Sequence, residues 1–480
     1  MAQASEAGSQ IEKKEWILNG FTMSTPGHLA PGLWRHPRNR SAQYTDIEYW
    51  TDMAKVLEKG KIHALFIADV LGAYDVYKGP DNLDPGLAGV AQFPITDPFL
   101  PIAAMAAVTK GLSFGITAST TYENPFLLAR RFATLDHLTK GRVAWNAVTS
   151  HLESAARNVG LETQIKHDDR YKIADEFLTL TYKLWEGSWR DDAVAKDVEK
   201  GEYTIAGRVR RINHEGEFFR SAGPLTVEPS IQRTPFIFQA GTSSAGKSFA
   251  TKHAECMFMA GMDPQGAKKS VDDIRARLVQ DGRDPNSIKL IVGMLAIVDE
   301  TDEKAQAKYE DYLKYVDLEG AATLFGGWTG TDLSTFSDEE DFRFTGPGAI
   351  QSLVNSWTET IPGTDGLKWT KKRVAQEIAL GGPSPRAIGS PKTVADILER
   401  WIQESGIDGF NLAYVINPGD FEDIVKYLLP ELRSRGVFWD EYAAKTTREN
   451  FFNDGLGPRL RDDHPGSQYK WTSDDINGSS

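Results

Sequence analysis

The sequence predicts an α/β protein of the (β/α)8 TIM-barrel class, and three observations carry that expectation. Eight short apolar segments of strand length recur along the 480 residues, alternating with segments of helical periodicity. The polar residues of these strands gather toward their C-terminal ends, where a barrel builds its sites. No Gly-x-Gly-x-x-Gly run opens any unit, which makes a doubly wound sheet the weaker expectation.

In order, the first strand is read at Trp16–Phe21 with a helix at Tyr44–Lys59, and the second at Ala64–Asp69 with a helix near Pro98–Val108. Leu112–Ser119 with Pro125–Leu138, then Arg142–Thr149 with Asp169–Trp185, form the third and fourth units. Pro235–Gly241, Cys256–Gly261 and Ile288–Val298 are the fifth, sixth and seventh strands. Phe410–Val415, followed by a helix at Phe421–Arg435, is the eighth.

Two connections are too long for simple turns. Residues 188–233 contain alternating pieces, YTIAGRVRRI and EFFRS, and read as an inserted hairpin. The helix before the eighth strand is Pro391–Glu404, with Ser390 as its N-cap, so residues 299–389 lie between the seventh strand and that helix. An insertion on that face is expected to be a lid, with FGGWTGTDLS and ALGGPSPRA as mobile flaps. Residues 1–15 read as a polar tail, 16–445 as the barrel with its two insertions, and 446–480 as a second polar tail without a core pattern of its own. That tail is expected to wrap the barrel or pack on a second subunit, with its last ten residues disordered.

Composition narrows the function. A net charge of −13 argues against a general nucleic-acid binder. No apolar run approaches the ~20 residues that span a bilayer, and the first 15 residues lack a secretory h-region, so a cytoplasmic protein is expected. The single cysteine, Cys256, excludes an internal disulfide and reads as a buried thiol. Without a His-x-His or His-Glu-x-x-His pattern, no metal is expected.

The run FQAGTSSAGKSFA, residues 238–250, is the strongest chemical signal. A strand ends at Gly241, a small hydroxyl-rich turn follows, and a helix begins at Ser243–Ser244. Such a helix start offers unpaired N–H groups and partial positive charge to a phosphate monoester. Asp69 closes the second strand, Thr117 the third, and Asn146, Thr149, Ser150 and His151 crown the fourth. His167 and Tyr171 are four apart and share a helix face, so their rings could converge on an anion beside Ser243. The first connection, MSTPGHLAPGLWRHP, adds His28 and His36, whose ordinary pKa near neutrality suits proton transfer. Each residue also has a plain structural alternative: a helix cap for Asp69, a local hydrogen bond for Thr117, a surface position for His167.

WNAVTS, HDDRYKIADEF, QAGTSSAG and GLWRHP together resemble the nitrilotriacetate and dibenzothiophene sulfone monooxygenases, a family of bacterial-luciferase-like two-component flavin monooxygenases. Within it, GLWRHPRNRSAQYTDIEYW, LFIADVLGAYDVYKGP, LARRFATLDHLTKGRVAWN, LWEGSWRDDAV, GGWTGTD and GIDGFNLAY are most similar to the dimethyl sulfide monooxygenases. The resemblance spans about residues 16–465. It implies a barrel that binds FMN as FMNH2, supplied by an NAD(P)H-dependent flavin reductase, with O2 as co-substrate. It further implies a flavin C4a-(hydro)peroxide that oxygenates a small organosulfur compound, dimethyl sulfide to methanethiol and formaldehyde being favoured. Another sulfur, amine or ketone substrate, or a flavin- or deazaflavin-dependent reductase on the same barrel, is the alternative. Carried over by motif, Asp69 and Thr117 would contact the flavin ring, and His167, Tyr171 and Ser243 its phosphate. His28 and His36 would stand near the reacting edge as catalytic residues, and His151 is a less secure match. A homo-oligomer is expected, and Phe21, Phe66 and Trp328 are candidate pocket walls.

Overall fold

The computed structural model describes residues 15–472 and 475, apart from 242, 345–347, 362 and 365. The main sheet has nine strands: β1 (Ile17–Met23), β2 (Ala64–Ala68), β3 (Ser113–Ser119), β4 (Val143–Val148), β5 (Phe236–Ala240), β6 (Cys256–Met259), β7 (Lys289–Val298), β8 (Arg386–Gly389) and β9 (Gly409–Ala413). All but β8 close into a parallel barrel, in the order β1 to β7, then β9, then back to β1. The eight predicted barrel strands are therefore present, with no end displaced by more than two residues. β8 was not foreseen: the last four residues of the long insertion join the sheet beside β7.

The helices are α1 (Ile47–Gly60), α2 (Ile102–Ala107), α3 (Pro125–Thr139), α4 (His167–Tyr182), α5 (Ser244–His253), α6 (Pro264–Gln280), α7 (Asp302–Leu313), α8 (Leu318–Thr329), α9 (Gly348–Thr360), α10 (Lys371–Ile378), α11 (Pro391–Ser405), α12 (419–434, with a π-helical turn at Ile424–Leu428) and α13 (Thr447–Phe452). α3, α6 and α11 begin alike. The side chain of Asn124, Asp263 or Ser390 accepts a backbone N–H of the first turn, and proline occupies the first helical position.

The barrel interior is packed with rings. Phe66 meets Phe238 at 5.1 Å between centroids, and Phe258 meets Phe21 at 5.3 Å. Cys256 is fully buried in this interior cluster, as expected of it. The barrel base is closed by the C-terminal segment. α13 places Phe451 4.8 Å from Phe236, and buried Arg448 donates to both carboxylate oxygens of buried Glu255 at 2.6 and 2.8 Å. The tail, read as having no core pattern of its own, thus carries core residues between Thr446 and Phe452 where it packs on the barrel. Its two adjacent phenylalanines are too few to show a period, yet both fill space beneath the barrel. The expected disorder of the last ten residues falls mostly outside the described residues.

Residues 188–233 form two small antiparallel pairs, Val194–Asp197 with Glu202–Thr204 and His214–Glu215 with Arg220–Ser221. The 299–389 insertion carries α7 to α10 and a core of its own. Trp357 and Trp369 stack at 5.6 Å, both fully buried, and Glu377 pairs with Arg386 with neither side chain exposed. The FGGWT piece is the last turn of α8 rather than a flap, ended by left-handed Gly330. Packing overrides the low helix propensity of its glycines. A Cβ on Gly327 would lie 1.9 Å from the Tyr74 ring, so only glycine lets that ring press on the helix.

Candidate functional site

At the C-terminal mouth a cavity of about 660 Å³ lies between the barrel and the insertion. Five predicted residues line it together: Asp69, Thr117, His167, Tyr171 and Ser243. Asn146, His151 and Arg170 join them, with Phe21, Phe66 and Phe258 as an aromatic floor and Trp328 reaching in from α8.

One end gathers hydroxyl, imidazole and helix-start N–H groups. Ser243 caps α5, its Oγ accepting the Gly246 N–H at 3.0 Å. His167, the first residue of α4, sits with Nε2 3.3 Å from that Oγ, while its Nδ1 lies 2.7 Å from Asp168. Tyr171, one turn along, aims its hydroxyl at the same turn: a Cβ on Gly241 would come within 3.0 Å of it, and one on Gly246 within 2.8 Å. The two glycines leave a cradle beneath a helix N-terminus. Arg170 adds a buried cation whose Nε has no partner among the described residues. Arg170 shares the i, i+3, i+4 face of His167 and Tyr171, but an arginine in the charged run KHDDRYK gives no sign in the sequence that it is buried.

The opposite end is polar in a different way. Asn146 Nδ2 donates to Thr117 Oγ1 at 2.8 Å, leaving the buried Asn146 Oδ1 unpartnered among the described residues. Burial, with Asp97 adding its charge, pushes the Asp69 carboxyl up to about 8, so it is largely protonated at neutral pH and can donate a hydrogen bond. Burial lowers the pKa of His151, and the charge of Arg170 acts in the same direction.

The two predicted catalytic histidines differ. His28 is buried edge-on against Phe21, 4.7 Å between ring centroids, beside the cavity wall rather than in it. Burial drives its pKa down to about 3, so it is a neutral imidazole and not the near-neutral titrating group expected; its Nδ1 has no partner among the described residues. His36 is not brought to the cavity. Its Nε2 lies 3.1 Å from Asp311 of α7, and its ring packs edge-on to Tyr312 and Tyr315, which fastens the first loop to the insertion. The same loop is held a second way, invisible in sequence. Trp328 Nε1 donates to Tyr74 Oη at 3.1 Å, Tyr74 donates to Gln92 Oε1 at 2.8 Å, and Gln92 Nε2 donates to the His28 carbonyl at 2.7 Å.

A family model described as luciferase-like monooxygenase matches residues 29–409. The chain is 46% identical to the dimethyl-sulfide monooxygenase of Hyphomicrobium sulfonivorans, over 95% of this chain and 94% of that one. The crystal structure of DmoA from the same bacterium superimposes with a TM-score of 0.91, covering 95% of this chain and 96% of that one at 45% identity. It is equally 46% identical to the long-chain alkane monooxygenase of Geobacillus thermodenitrificans, over 96% of this chain and all of that one. A riboflavin lyase solved with modified FMN and riboflavin matches with a TM-score of 0.85 at 35% identity, covering 96% of this chain and 100% of that one.

Proposed function

The chain belongs to the luciferase-like monooxygenase family, and from that premise we propose that it is the oxygenase of a two-component system acting on dimethyl sulfide. In this reading it receives reduced FMN from a separate NAD(P)H-dependent flavin reductase and releases methanethiol and formaldehyde. The observation that carries it is the single cavity that joins an anion cradle to a polar ring-binding edge over an aromatic floor.

The residues fit FMN. Ser243, His167, Tyr171 and the α5 N-terminus would hold the phosphate, with Arg170 nearby for charge balance. Asn146 Oδ1, buried and unpartnered, offers an acceptor to a ring N–H, and protonated Asp69 offers a donor. Bound there, reduced FMN would supply the two electrons that split O2, one oxygen atom passing to the substrate and the other leaving as water.

The chain's own work is binding, orientation and exclusion of water. Phe21, Phe66 and Phe258 give an apolar surface on which a neutral sulfide loses little by leaving water. Trp328, held by Tyr74, covers the cavity from the insertion and shields the reacting centre from solvent. His28, neutral and backed by the Gln92 bond to its carbonyl, is the proposed hydrogen-bonding partner beside the reacting edge. His36 is proposed as a positioning residue that acts through the first loop.

The test supplies the protein with FMNH2 from a flavin reductase and measures methanethiol and O2 together. One O2 consumed per methanethiol released, above the uncoupled background, is the expected result. Turnover without O2 would instead favour a hydride-transferring reductase on the same barrel. Bound FMNH2 with no consumption of dimethyl sulfide would overturn the substrate.

A further inference from the structure

The barrel wall has a gap. β6 pairs with β7 as far as Val292, opposite Met259, and β8 pairs with β7 only from Leu295, opposite Arg386. Leu295 also pairs with Ala413 of β9, so β9 occupies the other edge and β6 and β8 share this one. Three residue steps, about 10 Å at ~3.3 Å per residue, separate the last β6 pair from the first β8 pair. Between them lies Gly293. Its backbone is not in the left-handed region, so glycine is not needed there for conformation. A Cβ would point inward, 3.1 Å from Ser384 Oγ and 3.4 Å from the Phe258 ring.

A missing strand contact and a missing side chain coincide in a chamber of about 380 Å³. Its walls are apolar: Phe258, Met259, Met262, Pro383 and Pro385, with Ser384 the one hydroxyl among the described residues that line it. It meets the main cavity along Ala240, Gly241 and Phe258, which line both. At about 30 Å³ per water molecule, the space equals roughly a dozen waters. Dimethyl sulfide, with two methyl groups, has no use for such a volume.

We propose that this wall gap seats the alkyl arm of the substrate, so that the enzyme accepts methyl alkyl sulfides with one extended chain and holds that chain between β6 and β8. The proposal rests on the sulfide-oxygenase reading and extends it from one compound to a class. The reacting sulfur and methyl group stay over the aromatic floor while the long arm passes Phe258 into the chamber. Each methylene buried there tightens binding about fourfold.

The experiment compares dimethyl, methyl ethyl, methyl butyl and methyl octyl sulfide on the wild type, Gly293→Val and Ser384→Leu. The two variants fill the chamber from the strand and from the loop. Calorimetric Kd values on the FMN-loaded protein are read beside kcat/KM with the reductase present, and FMN affinity reports that each variant is folded. Expected is a wild-type Kd that falls steadily with chain length, and a loss of at least tenfold in the octyl-to-dimethyl ratio in either folded variant. A ratio unchanged in the variants, or a wild-type Kd indifferent to chain length, overturns the chamber. If length dependence appears and the variants abolish it while no sulfide is oxygenated, the chamber stands and the oxygenase reading falls. If sulfides are oxygenated with no response to either variant, the reverse holds.

Discussion

A carboxyl group at the mouth of an apolar barrel is under pressure to keep its proton, and Asp69 shows the consequence. In an unfolded chain an aspartate titrates near 3.9, whereas in the fold burial raises Asp69 to about 8. Between those values the native state holds a proton that the unfolded state has released, so this group's contribution to stability declines as pH rises through the interval. Asp69→Asn removes that slope. The urea midpoint of wild type relative to the variant should fall from pH 5 to 8 and level off above; parallel curves would mean an ionised Asp69. At the anion end, Ser243→Ala with Tyr171→Phe removes two hydroxyls from the cradle. Equilibrium titration should find FMN weakened by roughly 1.5–3 kcal/mol per lost hydrogen bond to charge. Undiminished affinity would move the phosphate elsewhere. Local patterning identified these residues because strand ends and a four-residue spacing are visible in a string of letters. The state of His28 was not visible. Its burial comes from Phe21, Tyr414 and a loop pinned by Gln92, far apart in sequence.

Elements met in different ways. α3 and α11 are legible in the sequence, α11 by its cap and proline, and β2 to β7 by short apolar runs, since these signals are local; α6 carries the same cap and proline at Asp263–Pro264 but was not foreseen. β8 carries only RAIG, four residues with no length to show a period, and becomes a strand because β7 overruns β6 and presents a free edge. Its Arg386 is buried completely and pairs with Glu377 of α10, to which Tyr309 also donates at 2.6 Å. Arg373 Nε also lies 3.0 Å from Glu377, so removing Arg386 leaves the carboxylate one cation, and the loss should fall below the ~3–5 kcal/mol of a buried charge left alone. Arg386→Met should therefore lower the unfolding free energy read from urea denaturation by about 1–3 kcal/mol. Arg386→Met with Glu377→Met should recover most of the loss, and equal loss in both would show that shape rather than charge is what matters there.

At the scale of the molecule, the barrel is closed from both ends by segments the strands do not include. The 299–389 insertion covers the mouth and α13 plugs the base. Phe451 lies almost wholly buried among Phe236 and Phe238, and Phe451→Ala should cost about 3–5 kcal/mol in a denaturation experiment. Leu456→Ala, at a residue 69% exposed, should stay within about 0.5 kcal/mol. Equal effects at the two positions would show that α13 does not plug the barrel. The amino-acid sequence by itself determined the repeating strand and helix units, the barrel class, the helix start at Ser243 and five of the residues that line the cavity, because each depends on periodicity, caps or strand ends within a few residues. Only the tertiary structure decided which histidine borders the cavity, which is tied to the insertion, where the wall opens beside Gly293 and what fills the base. Those outcomes depend on burial and on edges left unpaired, which arise when segments hundreds of residues apart meet.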